Sequence, residues 1–457
     1  MSAIKPTEET GDPEAPRATS FDQVSDDQHM HVKIASERRN ADGFGGLLLL
    51  ACFLTLVAGR FTLSRLGDLP DLDLRFAFLY LLCGGLLIWY LGRQVTGARA
   101  AKIGVGPGIS WFAAWCVWLV ISTFWSAPEA RLVDSILNVF FLFVFTLAAI
   151  AVASRLPTHQ INSLWICLIV VAAVFLALAI YSGPGAQGRY AAPGGGPNVF
   201  VRFMVMGALA ALCRYQTAQR IRALLPVPFF AIGAILSGSR GGLLAALIVS
   251  ILAAVPVFRR SGLKLVMICS VAITAAAIGA LMAVHRSTAI IHIIRERYVE
   301  QTLNQRYVSD RGRIAAEAWN LFLSHPVIGS GLDGYYASQA VGERFEYPHN
   351  LVLATLAESG LLGGLLLMSA VISFFAAALK TRPLTKDALF ALIIGIYLFF
   401  ASMFSGDYYD SRMMWFFLCI AVIQSRRAAE GATVPMATRE VLSRSTRTAS
   451  SQIRYRK

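Results

Sequence analysis

The chain has 457 residues, of which 56% are hydrophobic and 15% are charged, with a formal net charge of +14. This composition excludes a soluble domain of ordinary design and predicts a polytopic membrane protein. The basic charge follows from lysines and arginines in connections between apolar segments. It therefore does not indicate a nucleic-acid-binding surface.

Twelve apolar stretches predict transmembrane helices, because a membrane-spanning helix needs about 20 mostly apolar residues. Several of them are short or interrupted. The predicted fold class is all-α, with about twelve transmembrane helices and a helical extracytoplasmic loop. The stretches are centred near Phe53, Leu82, Val117, Leu142, Val171, Val205, Phe230, Val249, Thr274, Leu366, Ile396 and Leu418.

The chain divides into five predicted parts. Residues 1–42 are a polar tail predicted to be disordered, 43–284 hold transmembrane helices 1–9, and 285–348 form a large outer loop. Residues 349–424 hold helices 10–12, and 425–457 form a basic tail. Within the outer loop, apolar residues at helical spacing predict a helix over 313–324 that stops before His325-Pro326.

Charge in the connections predicts orientation. One set of short loops is rich in lysine and arginine and contains a single acid, Asp387, whereas the other set is nearly balanced. The basic side is expected to be cytoplasmic. Both termini are then cytoplasmic, and the large loop lies on the opposite side.

Several patterns that suggest metals or cofactors are weak. The seven cysteines fall in or at the ends of apolar segments and suggest neither a disulfide framework nor a thiolate metal site. The glycines of Gly329–Gly334 imitate a dinucleotide motif but lack the preceding strand. Asp71-Leu72-Asp73 imitates the paired aspartates of metal-dependent sugar-nucleotide transferases, yet lies on the outer side. We therefore expect no metal and no cofactor.

His349 stands where the polar loop enters an apolar helix. A histidine with a pKa near 6.5 can accept a proton from a sugar hydroxyl near neutral pH, and Asn350 is a candidate to orient the acceptor or the ring. The alternative is a histidine that only caps the helix start. Glu358 lies about 13 Å deeper along the helix. It is interpreted as a buried packing or polar-network residue rather than as the base.

Arg240 is the first candidate for binding a phosphate. It lies in the tight turn Ser239-Arg240-Gly241-Gly242, where glycines let the backbone approach a ligand and the guanidinium offers a fork for phosphate oxygens. The alternative is an arginine that merely reaches the membrane interface.

Three further arginines are candidates for the same role. Arg313 follows Gly312 at the start of the predicted outer helix, where backbone N–H groups also favour an anion, and Arg311 is the second choice there. Arg189 precedes a glycine-rich connection that is a secondary candidate for folding over a substrate. Solvated arginines and a plain connector are the alternatives.

Three features occur in one order along the chain. They are Ser-Gly-Ser-Arg-Gly-Gly at 237–242; Gly-Arg at 312–313 with Trp319 and His-Pro-Val-Ile-Gly-Ser-Gly at 325–331; and His349-Asn350-x-x-Leu353 with Glu358-x-Gly360. In this combination, from about Arg189 to Gly364, the chain resembles the O-antigen ligase and polymerase superfamily of bacterial cell-surface glycan assembly.

The resemblance implies a metal-independent, inverting glycosyltransferase of the membrane-embedded C type in the bacterial inner membrane. The implied donor is a glycan on undecaprenyl pyrophosphate, and the acceptor is lipid A core or a growing glycan. His349 would be the base, and the arginines would hold the pyrophosphate at the periplasmic face. A ligase is the simplest interpretation, and a polymerase of repeat units is the alternative.

A transporter or flippase of lipid-linked sugars is the alternative from another class. Transporters place polar residues near the middle of the membrane. Arg75, Asp134, Arg202 and Glu358 lie within or near apolar segments, which keeps this hypothesis open.

Overall fold

The computed structural model describes residues 43–59, 73–95, 104, 106–185, 188–191, 195–253, 311–340, 345–380 and 384–433. The predicted helix near Thr274, the tail 1–42 and the loop residues 285–310 lie outside these ranges, as does most of the tail 425–457. The chain divides into two units, residues 1–47 and 48–457. Of the first, only residues 43–47 are described, and they begin the first helix.

The described residues form an all-helical protein, which confirms the predicted class. A single helical turn, Gly334–Ala337, is not numbered among the helices. The helices are α1 (Gly43–Val57), α2 (Leu74–Val95), α3 (Gly108–Ile121), α4 (Leu132–Ala153), α5 (Thr158–Ser182), α6 (Pro197–Ala218), α7 (Pro226–Leu236), α8 (Arg240–Ala253), α9 (Arg311–Ser324), α10 (Leu351–Leu379), α11 (Lys386–Ser402) and α12 (Arg412–Thr433).

Six of these helices, α2 to α6 and α10, are long and apolar enough to cross a membrane. Helices α1, α7 and α8 are apolar but shorter. Eleven of the twelve predicted centres fall in a described helix. A count of twelve spans stays a prediction, and the membrane-protein class is supported.

The outer surface of the helices fits contact with lipid. Leu81 and Ile88 of α2 are each 65% exposed, and Val133 of α4 is 73% exposed. In water, so much exposed apolar surface would favour aggregation or association. A hydrocarbon environment accommodates these side chains without burying them.

An aromatic cluster forms the core between α3, α4, α10 and α12. Trp415 lies at its centre, with ring centroids 4.8 Å from Phe112 and 5.8 Å from Phe374. Trp115 packs at 6.0 Å from the same ring. These large rings fix the separation of the helices between which they pack.

Helix α9 confirms the helix predicted over 313–324 and begins two residues earlier. Its buried side chains Ile314 and Ala318 pack against Tyr335 and against Ala357 of α10. The helix ends at Ser324, before Pro326, as expected for a residue pair that disfavours helical geometry. At the other end of the chain, α12 continues to Thr433, beyond the predicted boundary at 424.

Polar contacts occur at both ends of the helical bundle. At one end, Trp165 donates to Asp387 over 2.7 Å, and Arg427 donates to the carbonyl of Ala153 over 2.8 Å. At the other end, the starts of α2, α4, α6, α8, α10 and α12 are joined by hydrogen bonds and ring contacts. This second end, here called the polar face, carries the candidate site.

Candidate active site

Helix α10 is broken at Gly360, whose φ of 65° and ψ of −168° are not helical. A continuous helix would pair the N–H groups of residues 361 and 362 with the carbonyls of 357 and 358. The turn after α9 satisfies all four groups instead, and we call this contact the α9–α10 junction. The N–H groups of Leu361 and Leu362 donate to the carbonyls of Pro326 (2.8 Å) and Val327 (3.2 Å). In the other direction, the N–H groups of Ser330 and Gly331 donate to the carbonyls of Ala357 (3.0 Å) and Glu358 (2.8 Å).

Glycine is required at this junction by close backbone contact. A Cβ on Gly329 would overlap the backbone of Glu358, and a Cβ on Gly360 would overlap the carbonyl of Val327. Both glycines also have positive φ, 74° and 65°. The glycines that imitate a dinucleotide motif in the sequence therefore serve helix packing.

His349 lies just before α10 in a left-handed backbone conformation, with φ of 57°. Its ring packs edge-on against Tyr347, with centroids 4.4 Å apart. Its Nδ1 is buried and has no hydrogen-bond partner among the described residues. Burial is the main cause that lowers the pKa of His349 below 6.5; Arg311 lowers it further, whereas Glu346 and Asp410 oppose the shift. The imidazole is therefore mostly neutral at pH 7.

Asn350 is the N-cap of α10. Its side-chain oxygen accepts a hydrogen bond from the N–H of Leu353 over 3.0 Å. This oxygen is therefore engaged by the helix. The expected role of Asn350 in orienting the acceptor or the ring stays a prediction.

The two arginines of α9 differ in their surroundings. Arg313 is paired with Glu317 on the same helix at 3.1 Å, and its guanidinium lies 5.2 Å from the ring centroid of Phe345. Arg311, the second choice from sequence, is the one whose charge acts on His349. The structure thus favours Arg311 over Arg313 as the neighbour of the histidine.

Arg189 lies against the turn that precedes Arg240. Its Nε donates to the carbonyl of Ser237 over 3.0 Å, and its side chain packs beside Gly238, whose φ is 59°. Arg240 itself is half-buried and begins α8. Two of the four predicted arginines are therefore carried by segments in direct contact.

A chain of polar contacts joins this turn to the region of His349. Ser239 donates to Asn198 over 2.7 Å, and Asn198 donates to Ser405 over 3.0 Å. Arg202, only 3% exposed, donates to the carbonyl of Ser405 and pairs with Asp410 at 3.3 Å. Since Asp410 acts electrostatically on His349, the chain connects the two motifs. Convergence of Arg240, Arg313 and His349 on one ligand stays a prediction.

Glu358 is 5% exposed and ties three segments together. The hydroxyl of Tyr408 donates to its carboxylate over 2.8 Å, and the backbone carbonyl of Glu358 accepts from the N–H of Gly331 over 2.8 Å. Burial, followed by the charge of Glu358, raises the pKa of Tyr408 well above 10, so Tyr408 remains a donor. This arrangement corresponds to a polar network.

The sequence analysis did not identify two partly buried ion pairs on the polar face. Arg131 binds Asp333 through two guanidinium contacts of 3.0 and 3.1 Å and through its backbone N–H at 2.8 Å. Burial would lower the pKa of Arg131, but its hydrogen bond and charge interaction with Asp333 outweigh that effect and raise it. Arg75 binds Asp73 at 2.7 Å and donates to Asn138 over 3.0 Å. Oppositely charged residues beside predicted helix starts were the available signal.

Two cavities lie on the polar face and share Tyr347 and Asp407 as wall residues. The smaller, about 160 Å³, lies beside Gly195, Gly196 and Asp410. The larger has a volume of about 400 Å³. It is lined by Asp73, Arg75, Phe76, Arg131, Asp134, Ser135, Leu137, Asn138, Asp333, Glu346, Tyr347, Ala354, Glu358, Asp407, Tyr408 and Tyr409.

Fold and site together define a helical membrane protein with a neutral histidine at a polar face that also carries arginine-bearing turns. Residues 225–368 match the O-antigen ligase family. The match confirms the resemblance drawn from the three motifs and supports membership of the O-antigen ligase superfamily, whose activity is glycosyl transfer. No curated protein matches the chain. The matched range contains Arg240, Arg311, Arg313 and His349, but not Arg189.

Proposed function

We propose that this protein transfers an oligosaccharide or polysaccharide from undecaprenyl pyrophosphate to a saccharide acceptor at the periplasmic face of the bacterial inner membrane. Lipid A core is the simplest acceptor, which would make the protein an O-antigen ligase. The family match supports the reaction class, and the geometry of the polar face supports the roles of individual residues.

The observation that carries the proposal is the state of His349. A buried nitrogen acceptor without a partner is unfavourable, and a bound hydroxyl would satisfy it. The lowered pKa keeps the ring unprotonated at neutral pH, as a general base requires. The proposal requires that the acceptor hydroxyl reach Nδ1 of His349.

The reaction then follows in one displacement. The acceptor oxygen attacks the anomeric carbon from the face opposite the pyrophosphate, the bond from that carbon to phosphate oxygen breaks, and His349 takes the hydroxyl proton. The configuration at the anomeric carbon inverts. The leaving lipid pyrophosphate gains negative charge, and guanidinium groups can offset it without a metal.

The donor would lie between the arginine-bearing segments. Arg240 and Arg189 come from touching segments on one side, whereas Arg311 and Arg313 begin α9 on the other. The smaller cavity is lined by Asp407 and Asp410 beside Arg412 and is unsuited to a phosphate by charge. We therefore assign the donor's pyrophosphate to the arginine-bearing segments themselves.

The positions of three charges within or near apolar segments support an enzyme over a transporter. Arg75 is the second residue of α2, Asp134 the third of α4 and Arg202 the sixth of α6. All three thus lie near one end of the bundle, whereas transporter sites lie near the middle of the membrane.

The test uses the purified full-length protein in lipid nanodiscs with a lipid-linked donor and a saccharide acceptor, in EDTA and without nucleotide. We expect transfer by the parent and a loss of about 100-fold or more in His349→Ala. His159→Ala is the matched control, because His159 is exposed at the start of α5 on the opposite end of the bundle. Parental rates in His349→Ala would remove the histidine from the mechanism.

A second variant tests the arginine. Arg240→Lys keeps the charge but loses the planar fork, so we expect most transfer activity to be lost through weaker donor binding. Equilibrium binding of the lipid-linked donor measures this directly. Full activity in Arg240→Lys would make Arg240 an anchor at the membrane interface.

A further inference from the structure

The larger cavity is not assigned by the family match, because most of its lining residues lie outside 225–368. Its wall comes mainly from the starts of α2 and α4 and from the segment before α12. It adjoins the candidate base, since Tyr347 lines the cavity and packs against the ring of His349.

The two cavities therefore lie on either side of one wall. Tyr347 and Asp407 line both. The smaller cavity is bounded by the glycines that follow Arg189, and the larger by the ion pairs of Arg75 and Arg131. None of the four candidate pyrophosphate-binding arginines lines the larger cavity, so this cavity is left for the second substrate.

The charge of the larger cavity is unlike that expected of a phosphate site. Apart from the buried carboxyl group of Glu358, five carboxylates line it, against the two guanidinium groups of Arg75 and Arg131. Each guanidinium already binds a carboxylate of the same wall, Asp73 or Asp333. The wall is therefore net negative, and a phosphate or carboxylate group inside it would meet like charge.

The rest of the lining suits sugar hydroxyls. Carboxylates and the side chains of Ser135 and Asn138 offer acceptors and donors, and the rings of Phe76, Tyr347 and Tyr409 provide apolar surface beside them. A volume of about 400 Å³ lies within the range of small-molecule sites. It is large enough for the end of a saccharide chain.

We propose that this cavity binds the acceptor as a saccharide whose rings carry no phosphate or carboxylate, with Asp134 as a specificity-determining residue. This inference rests on the proposed function and adds the chemical class of the acceptor. Asp134 is exposed at the third position of α4, so its carboxylate can meet a sugar entering from solvent. The reacting sugar of the acceptor is then neutral, whether it belongs to lipid A core or to a growing glycan.

The experiment compares two acceptors that differ only by one phosphate on the terminal sugar, at a position away from the reacting hydroxyl. The full-length protein in nanodiscs receives the same lipid-linked donor and EDTA in every arm. We expect kcat/KM for the neutral acceptor to be at least about tenfold higher, equivalent to about 1.4 kcal/mol. Equal kcat/KM values would overturn the inference.

Variants at Asp134 sharpen the result. Asp134→Asn should reduce the ratio of kcat/KM for the neutral acceptor to that for the phosphorylated one. Asp134→Lys should reduce this ratio further, while donor binding stays unchanged. Glu129→Gln is the control, since Glu129 is exposed nearby but does not line the cavity. An unchanged ratio in both Asp134 variants would contradict the assignment of Asp134.

Two readouts separate this inference from the function on which it rests. Binding of each acceptor to the donor-free protein, measured by calorimetry, gives the same ratio where a variant transfers too slowly to assay. Failure of the parent to bind the lipid-linked donor or to use either acceptor would overturn the proposed function as well. Transfer to both acceptors with equal efficiency would overturn the acceptor class alone.

Discussion

Two regions of the polar face are built by different interactions. The α9–α10 junction is held by backbone hydrogen bonds between segments that approach closely because glycines lack a side chain. The cavity wall is held by side-chain ion pairs, such as Arg131 with Asp333. Backbone contact leaves no room for a side chain at the glycines, whereas removal of an ion pair costs only part of the stability. The junction thus fixes the position of α9 against α10, and the ion pairs determine the charge of the cavity wall.

The largest effect is expected at the junction. Gly360→Ala would force a Cβ into the carbonyl of Val327 at a positive φ, so four backbone bonds would be strained or lost. We expect a loss of about 3 kcal/mol or more in the free energy of unfolding. The thermal midpoint of the detergent-solubilised protein checks this.

The matched control for the junction is Gly84→Ala, because a Cβ there meets nothing within 4 Å. It should leave the thermal midpoint unchanged or slightly higher, since alanine favours helix. If Gly360→Ala unfolded at the same temperature as Gly84→Ala, the backbone contact would not be a structural requirement.

A smaller effect is expected in the cavity wall. Arg131→Ala would leave the carboxylate of Asp333, itself 6% exposed, without its guanidinium partner. Because Arg131 is partly exposed and water can replace it, we expect the free energy of unfolding to fall by about 2 kcal/mol. This value lies between those for surface and buried ion pairs. Denaturation in a mild detergent series measures the loss.

The exposed pair of Arg313 and Glu317 provides the comparison for Arg131. Its side chains are 48% and 36% exposed, so Arg313→Ala should cost under about 1 kcal/mol in stability. Equal losses in Arg131→Ala and Arg313→Ala would show that burial of the Asp333 pair contributes little.

The smallest effect concerns pH. The base must be neutral, so activity should rise with pH through the pKa of His349, which lies below 6.5. Arg311→Ala removes a charge that lowers this pKa and should move the acidic limb of kcat/KM to higher pH. Glu346→Gln removes a charge that raises it and should move the limb to lower pH.

The two variants serve as controls for each other, because they change one charge each near the same ring. Profiles of kcat/KM from pH 5 to 8 measure the displacement of the limb. Shifts in the same direction, or a limb that does not move in either variant, would remove His349 as the group that titrates.

The sequence predicted what depends on local spacing. Apolar residues at helical intervals gave the helix over 313–324 to within two residues, and hydropathy gave eleven helix positions. Asn350 was predicted to orient the acceptor or the ring, and its role as N-cap was not predicted, although asparagine before an apolar run favours an N-cap. The motifs at 237–242 and 325–331 led to the family.

The sequence did not predict contacts between distant segments. Arg131 and Asp333 are 202 positions apart, and nothing near either residue names the other. Gly329–Gly334 was set aside as a nucleotide motif because it lacks the preceding strand. Its contact with the backbone near Glu358 is visible only in three dimensions. The effect of Arg311 on His349, 38 positions away, is likewise visible only in three dimensions, whereas the pair of Arg313 with Glu317 is local and was open to sequence reasoning.

The interruption at Gly360 divides α10 by length. The segment 361–379 has 19 residues and is about 28 Å long, close to the thickness of a bilayer's hydrocarbon layer. The preceding nine residues, with Glu358 among them, are then not needed to match that thickness. The stretch that spans the bilayer and the stretch that carries Glu358 are thus two parts of one helix, both held to the turn after α9 by the junction.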